Sequence, residues 1–139
     1  MRIFVYLGLF LLITGCKKEI HKKDMDMLAG YWEIVQVTFP DGNKKTYNVN
    51  TNIDYFVLDG EAGFRKKVQP KLNGTFETSD DAEPFAIIET KNGLAIHYKN
   101  AMSEWIEEIV ELNENSFSVQ NEEGMRYQYR RFELINVKR

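Results

Sequence analysis

The feature that most constrains the fold is a repeated alternation of apolar and polar residues in short runs. From residue 31 onward, turn residues interrupt these runs about every eight to twelve positions. The interruptions at 40–43, Asp59-Gly60 and Asn92-Gly93 have the proline, aspartate, asparagine and glycine chemistry of tight turns. Alternation with period two places side chains on opposite faces of a strand. The pattern therefore predicts an all-β chain of antiparallel strands.

The alternation divides the chain into short strands joined by short links. The predicted strands are 31–39, 44–49, 53–58, 63–68, 75–78, 85–90, 94–99, 104–112, 116–120 and 125–133. An up-and-down meander of about eight to ten such strands is expected to close into a small barrel, because closure removes exposed strand edges.

The segment 104–112 fits two patterns. Trp105, Ile109 and Leu112 would share one face of a helix, whereas Ile106, Val110 and Leu112 fit a strand that Glu108 interrupts. The neighbouring strands favour a strand here as well. Its acidic residues are interpreted as an outer, solvated face; they are Glu107, Glu108 and Glu111.

The N-terminus has the three parts of a secretory signal, with Arg2 before an apolar run and small residues at its end. As a helix, the run 3–15 would reach about 20 Å, which is too short to cross a hydrocarbon core of about 30 Å comfortably. The sequence Ile13-Thr14-Gly15-Cys16 resembles the bacterial lipobox. This resemblance implies cleavage before Cys16 and acylation of its sulfur, with palmitate-type chains holding the protein on a membrane.

These features divide the chain into three parts. Residues 1–15 are predicted to be a cleaved lipoprotein signal peptide, 16–26 a lipidated tether, and 27–139 a single barrel domain. Lys17 follows the cysteine, as in lipoproteins that are sorted to the outer membrane. We therefore expect an outer-membrane protein, anchored on the periplasmic or the surface face.

Composition excludes some functional classes. The chain has 18 Lys and Arg against 21 Asp and Glu, for a formal net charge of −3. A protein that tracks nucleic-acid phosphates needs a basic surface, so nucleic acid is not an expected partner. Cys16 is the single cysteine, so no disulfide can form within the domain and the core alone must hold it together.

No catalytic motif is present in the sequence. His21 lies in the predicted tether, His97 is expected on the solvent side of a strand, and no serine lies in a Gly-x-Ser-x-Gly elbow. Asp80, Asp81 and Glu83 offer oxygen ligands but lack the spacing of a calcium loop, and a solvated acidic loop accounts for them. We expect neither an enzyme nor a cofactor nor a metal site.

The start of the first strand resembles a family motif. Gly30-Tyr31-Trp32 is similar to the Gly-x-Trp element of lipocalins, and residues 28–132 resemble the small lipocalin-like domains of bacterial lipoproteins. The resemblance implies that Trp32 plugs the closed end of the barrel and that a basic residue of the last strand packs across its ring. Arg130 and Arg131 alternate between faces, so one of them is expected in that position; we choose Arg131.

Five aromatic residues are candidates for lining a ligand cavity, because alternation would allow them to share one face. They are Tyr55, Phe76, Tyr98, Phe117 and Tyr127. Simple core packing explains them equally well, since small barrels fill themselves with side chains.

Two functions remain open at this point. The first is a lipid-anchored carrier of a small apolar or amphipathic ligand, held to the membrane through Cys16. The second is an interaction module, in which a filled barrel docks another envelope protein or a glycan. The sequence names no protein partner.

Overall fold

A computed structural model describes residues 19–78 and 81–133. The described chain begins with a 3-10 helix, Lys22–Leu28, and continues as ten strands. The strands are β1 (Gly30–Thr38), β2 (Lys44–Thr46), β3 (Ile53–Asp59), β4 (Ala62–Pro70), β5 (Phe76–Thr78), β6 (Glu83–Thr90), β7 (Gly93–Lys99), β8 (Glu104–Leu112), β9 (Ser116–Asn121) and β10 (Arg126–Arg131). The all-β prediction is confirmed, and the ambiguous segment 104–112 is a strand.

Eight of the ten strands form a closed antiparallel barrel. From β6 to β10, each strand pairs with the next along the chain, β4 pairs with both β3 and β6, and β1 pairs with both β3 and β10. The closing pair brings Trp32 opposite Arg131. The short strands β2 and β5 pair with β1 and β4 but lie outside the closed path. The predicted up-and-down barrel is therefore confirmed, with two added edge strands.

The barrel has two different ends, because successive strands run in opposite directions. One end, which we call the floor, has the start of β1, the end of β10 and the hairpins β3–β4, β6–β7 and β8–β9. The 3-10 helix precedes β1 at this end. The opposite end, the mouth, has the β2–β3, β4–β5, β7–β8 and β9–β10 connections. The asymmetry matters because the two halves of the interior contain different chemistry.

Apolar side chains fill the floor half of the barrel. The largest fully buried side chains of this core include Trp32, Phe56, Phe117, Leu28 and Ile96. Phe117 meets both Trp32 and Phe56 edge-to-face, with ring centroids 4.7 and 5.7 Å apart. Edge-to-face contacts of this kind add to the stabilisation from burial. The floor half is thus a packed core.

Packed structure begins earlier than the predicted domain boundary at Met27. The 3-10 helix places Met25, only 3% exposed, and Leu28 in the core, and Ile20 packs against the same cluster. The predicted tether 16–26 therefore overlaps the folded domain at its C-terminal end. Its polar composition concealed this, because the helix needs only two buried side chains to dock.

The predicted signal peptide and Cys16 lie outside the described residues. Within 19–78 and 81–133, no helix is long and apolar enough to span a membrane.

Candidate functional site

Trp32 lies at the centre of the barrel floor. Its side chain is fully buried, and its indole Nε1 donates a hydrogen bond to the backbone oxygen of Leu28 at 2.8 Å. The ring of Phe117 packs edge-to-face on the indole. The guanidinium carbon of Arg131 lies 4.0 Å from the indole centroid, within the range of a favourable cation–π contact.

Arg131 also joins two separate segments of backbone through three carbonyl oxygens. Its guanidinium donates to the carbonyl oxygens of Glu114 at 2.7 Å, Ala29 at 2.8 Å and Met27 at 2.6 Å. Arg130 points the other way and pairs with Glu33 on the outer surface. Of the two alternating arginines, Arg131, the one we chose, is therefore the one that lies over the indole.

Gly30 provides the space for this arrangement. Its φ of +121° lies in the region that residues with a Cβ rarely adopt, and a Cβ here would lie 2.7 Å from Nη1 of Arg131. The three motif residues thus form one structural unit that closes the barrel. The fold is a closed antiparallel barrel of eight strands.

Comparisons with known proteins find similarity only to solved structures. No family model and no curated protein match the chain. A lipocalin-like protein from Bacteroides uniformis has a TM-score of 0.48 at 14% identity, covering 76% of this chain and 99% of that one. An uncharacterised protein from Bacteroides eggerthii has a TM-score of 0.48 at 13% identity, covering 75% and 98%. Lobster apocrustacyanin A1 has a TM-score of 0.47 at 14% identity, covering 84% and 67%.

The five aromatic candidates do not share one face, so that expectation was wrong. Tyr98 and Phe117 point into the interior and are buried, and Tyr127 lines the mouth. Tyr55 and Phe76 instead stack on opposite sides of Tyr31, each with a centroid distance of 4.5 Å. Trp32, the neighbour of Tyr31, points inward, so this stack lies on the outside of the barrel.

The mouth half of the barrel contains a cavity of about 520 Å³. Its walls come from β1, β3, β4, β8 and β10 and from the β2–β3 connection. The lining residues are Ile34, Tyr47, Val49, Asn50, Thr51, Asn52, Asp54, Arg65, Lys67, Glu107, Tyr127 and Tyr129. This volume lies in the range of small-molecule sites, and we call it the mouth cavity. A second hollow, of about 850 Å³, lies beside residues 19–22. It is separate from the mouth cavity.

A buried arginine crosses the interior beside the mouth cavity. Nε of Arg65 donates to Glu83 at 2.8 Å, and Nη2 donates to the same carboxylate oxygen. The guanidinium carbon lies 4.6 Å from the centroid of the Tyr98 ring. On the neighbouring strand, Asp54 is paired with Lys67, whose side chain is 63% exposed, at 3.7 Å. Arg65 is therefore held by a carboxylate and by an aromatic face.

Glu107 faces the interior, which contradicts its interpretation as an outer residue. Its residue exposure is 8%, and it lines the mouth cavity. Trp105 stacks on Tyr98 with a centroid distance of 4.7 Å, which turns this side of β8 inward. A register shift between Ile109 and Glu111 then returns Leu112 to the core. The shift explains why no single alternation fits the whole strand.

The surroundings of Glu107 shift the pKa of its carboxyl group upward. Burial raises the pKa of the Glu107 carboxyl, while the positive charge of Arg65 and a hydrogen bond from Trp105 oppose the rise. The Trp105 Nε1 to Glu107 Oε1 distance is 3.3 Å, which is long for a hydrogen bond. The carboxyl group is therefore buried with weak compensation.

Sequence reasoning missed Asp54, Arg65 and Glu107. Each lies two positions along its strand from a residue on the interior side of the barrel. The pairs are Asp54 with Phe56, Arg65 with Gly63, and Glu107 with Trp105. The sequence contains no signal that identifies them, because only the structure shows which side of each strand faces the interior.

The remaining polar candidates lie in ordinary hydrogen-bonded surroundings. His97 lies on the side of β7 away from Ile96 and Tyr98, and its Nε2 is 2.6 Å from Glu104. Glu83 is engaged by Arg65, and Asp80 lies outside the described residues. Within 19–78 and 81–133, no group of three His, Cys, Asp or Glu side chains could hold a metal ion.

Proposed function

We propose that this protein is a non-enzymatic, lipid-anchored protein of the cell envelope whose barrel binds a small amphipathic molecule at its mouth. The mouth cavity is the observation that supports binding. It is concave, has the volume of a ligand site, and combines tyrosine and aliphatic walls with a few buried charged groups. The apolar core below it limits the depth of the site, so the ligand is a short molecule with a polar group.

The position of the N-terminus supports the anchored arrangement. The 3-10 helix lies at the floor and Ile20 packs against the core, so a tether that leaves Glu19 toward Cys16 starts at the end of the barrel opposite to the mouth. The four residues from Cys16 to Glu19 span at most about 11 Å when extended. Lipidation at Cys16 would hold the floor near the membrane and leave the mouth open to incoming ligand.

Occluding the mouth should abolish ligand carriage. Lys67 lies at the rim of the mouth cavity and is mostly exposed, whereas its neighbour Lys66 is opposite Tyr55 on the outside of the barrel. We expect Lys67→Trp to lose a mass that co-purifies with the wild type, because the indole fills the entrance. Lys66→Trp makes the same chemical change on the other face and should retain that mass.

Native mass spectrometry of the gently purified protein measures this directly. A wild-type spectrum with no bound mass, in protein taken from its own kind of host, would contradict the binding proposal. Equal loss of the mass in both variants would place the ligand elsewhere on the molecule.

Replacement of Cys16 should release the protein from the membrane. The thiol is the acceptor of the proposed lipid, so we expect Cys16→Ser to remain uncleaved or to become soluble. One acyl chain gives marginal membrane binding and two give stable anchoring. A protein with no acyl chain should therefore lose its lipid anchoring almost completely. Fractionation followed by mass measurement of the N-terminus tests this. A cleaved and membrane-bound Cys16→Ser protein would overturn the anchoring proposal.

A docking role is the second candidate, supported by the outer aromatic stack of Tyr31, Tyr55 and Phe76. Phe132 approaches the same stack, with its centroid 6.4 Å from that of Phe76. Stacked aromatic rings on an outer surface suit a protein or glycan partner. In-cell crosslinking through a probe at Tyr55 would test this role, and the absence of any reproducible partner would contradict it.

A further inference from the structure

We infer that the mouth cavity selects ligands that bear a positively charged amine on a small apolar or aromatic body. This inference rests on the proposed binding function and adds the charge of the ligand. It depends on the balance of buried charges, on the partners of Glu107 and on the aromatic lining of the mouth cavity.

Negative groups outnumber positive ones in the interior. Three carboxylates, Asp54, Glu83 and Glu107, surround the one guanidinium of Arg65. Lys67 adds a second positive charge, but its side chain is 63% exposed and therefore largely screened by solvent. Arg65 pairs with Glu83 and Lys67 pairs with Asp54, so among the described interior carboxylates Glu107 is the one without a salt bridge, and a cationic ligand would balance it.

Glu107 is the carboxylate left with the weakest protein partner. Arg65 directs both of its hydrogen-bonding contacts to Glu83. Within the described residues, the long contact from Trp105 is the single hydrogen bond that Glu107 receives. A carboxylate this deeply buried is costly unless it is paired and hydrogen-bonded. An ammonium group in the mouth cavity would supply that pairing.

The rest of the mouth cavity suits the remainder of such a ligand. Tyr47, Tyr127 and Tyr129 line it with aromatic side chains, which suit the apolar or aromatic body of a ligand. Ile34 and Val49 add aliphatic surface to the same walls. The ring and aliphatic contacts would accept the body of the ligand while its amine meets Glu107.

An anionic ligand fits the same arrangement poorly. Its natural partner would be Arg65, but one face of that guanidinium covers the ring of Tyr98 and two of its nitrogens are bound to Glu83. The anion would also lie next to Glu107 and Asp54, where like charges repel.

The test uses three compounds with one indole body and different charges: tryptamine, tryptophol and indole-3-propionate. They are titrated by calorimetry into the purified full-length chain at neutral pH. We expect tryptamine to bind about tenfold or more tightly than either of the others. Glu107→Gln should remove this preference, while Glu108→Gln should preserve it. Glu108 is a matched control on the same strand, because its carboxylate bonds Asn92 on the outside of the barrel.

The pH dependence provides an independent readout. Charged and titratable groups surround Glu107 from other strands, namely Asp54, Arg65, Glu83, Tyr98, Tyr127 and Tyr129. Burial raises the pKa of Glu107, so its carboxylate takes up a proton at a higher pH than an ordinary glutamate does. Tryptamine affinity should fall as the pH is lowered through that range, because the neutral carboxyl group no longer attracts the ammonium group. The affinity of Glu107→Gln should lack this step, because glutamine does not titrate.

The outcomes separate this inference from the proposed function. Equal binding of the three compounds, or tighter binding of the anion, would overturn the charge selectivity and leave ligand binding intact. Binding of none of them would also overturn it, and the Lys67→Trp and Lys66→Trp comparison would then decide the binding function separately. Unchanged tryptamine preference in Glu107→Gln would remove Glu107 from ligand recognition.

Discussion

Trp32→Ala should lower the free energy of unfolding by about 3–5 kcal/mol, the range for replacing a large buried aromatic residue by alanine. The indole is fully buried, packs against Phe117 and donates a hydrogen bond to Leu28. Its removal leaves a cavity at the floor, an unpaired carbonyl oxygen, and a guanidinium without its aromatic face. Chemical denaturation followed by fluorescence and circular dichroism measures the loss.

Trp105→Ala is the matched control for this variant. Trp105 is only partly buried and lies beside the mouth cavity, where it stacks on Tyr98. We expect Trp105→Ala to lower the free energy of unfolding by less than half as much as Trp32→Ala does, because water can enter the space that the smaller side chain leaves. Equal losses in the two variants would show that Trp32 has no special place in the floor. An unchanged midpoint in Trp32→Ala would remove it from the core.

Arg131→Ala is expected to cost about 2–3 kcal/mol, which is the scale of losing hydrogen bonds from a charged donor and leaving their acceptors unpaired. Three carbonyl oxygens, those of Met27, Ala29 and Glu114, lose their donor at once. The variant also removes the cation from the face of Trp32. These contacts join the end of β10 to the chain that precedes β1. Without them, the floor should open more readily.

Arg130→Ala removes the same side chain one position earlier. Arg130 is 63% exposed and pairs with Glu33 on the outer surface, and exposed ion pairs contribute about 0–1 kcal/mol. Denaturation midpoints of the two variants should therefore differ clearly, with Arg131→Ala much the less stable. Similar midpoints would mean that the contacts of Arg131 at the floor add little to stability.

Much of the barrel could be predicted because its determinants are local. Each of the ten strands overlaps a run of alternating residues, and glycine turns such as Asp59-Gly60 lie where hairpins reverse the chain. Alternation also separated Arg131 from Arg130, since neighbouring strand residues must point to opposite faces. The N-terminal boundary was placed too late, because the two apolar anchors of the 3-10 helix, Met25 and Leu28, carry no period of their own.

The mouth cavity depended on information that no single strand contains. In β3 both Tyr55 and Phe56 are aromatic, so the pattern alone could not decide that Phe56 and Asp54 point inward. In β8 the register shift after Ile109 changes which residues face the core. The inward position of Glu107 follows from pairing with β7 and β9 and from the stacking of Trp105 on Tyr98.

The sequence by itself determined the class of fold, the strands and the order of their turns, and the motif resemblance placed Gly30 and Trp32 at the floor with one of two arginines. Tertiary structure alone decided which charged side chains meet inside the barrel. Strand formation depends on neighbours a few positions apart, whereas Asp54, Arg65, Glu83 and Glu107 belong to four different strands. They come together only when closure of the barrel sets the register of every pair.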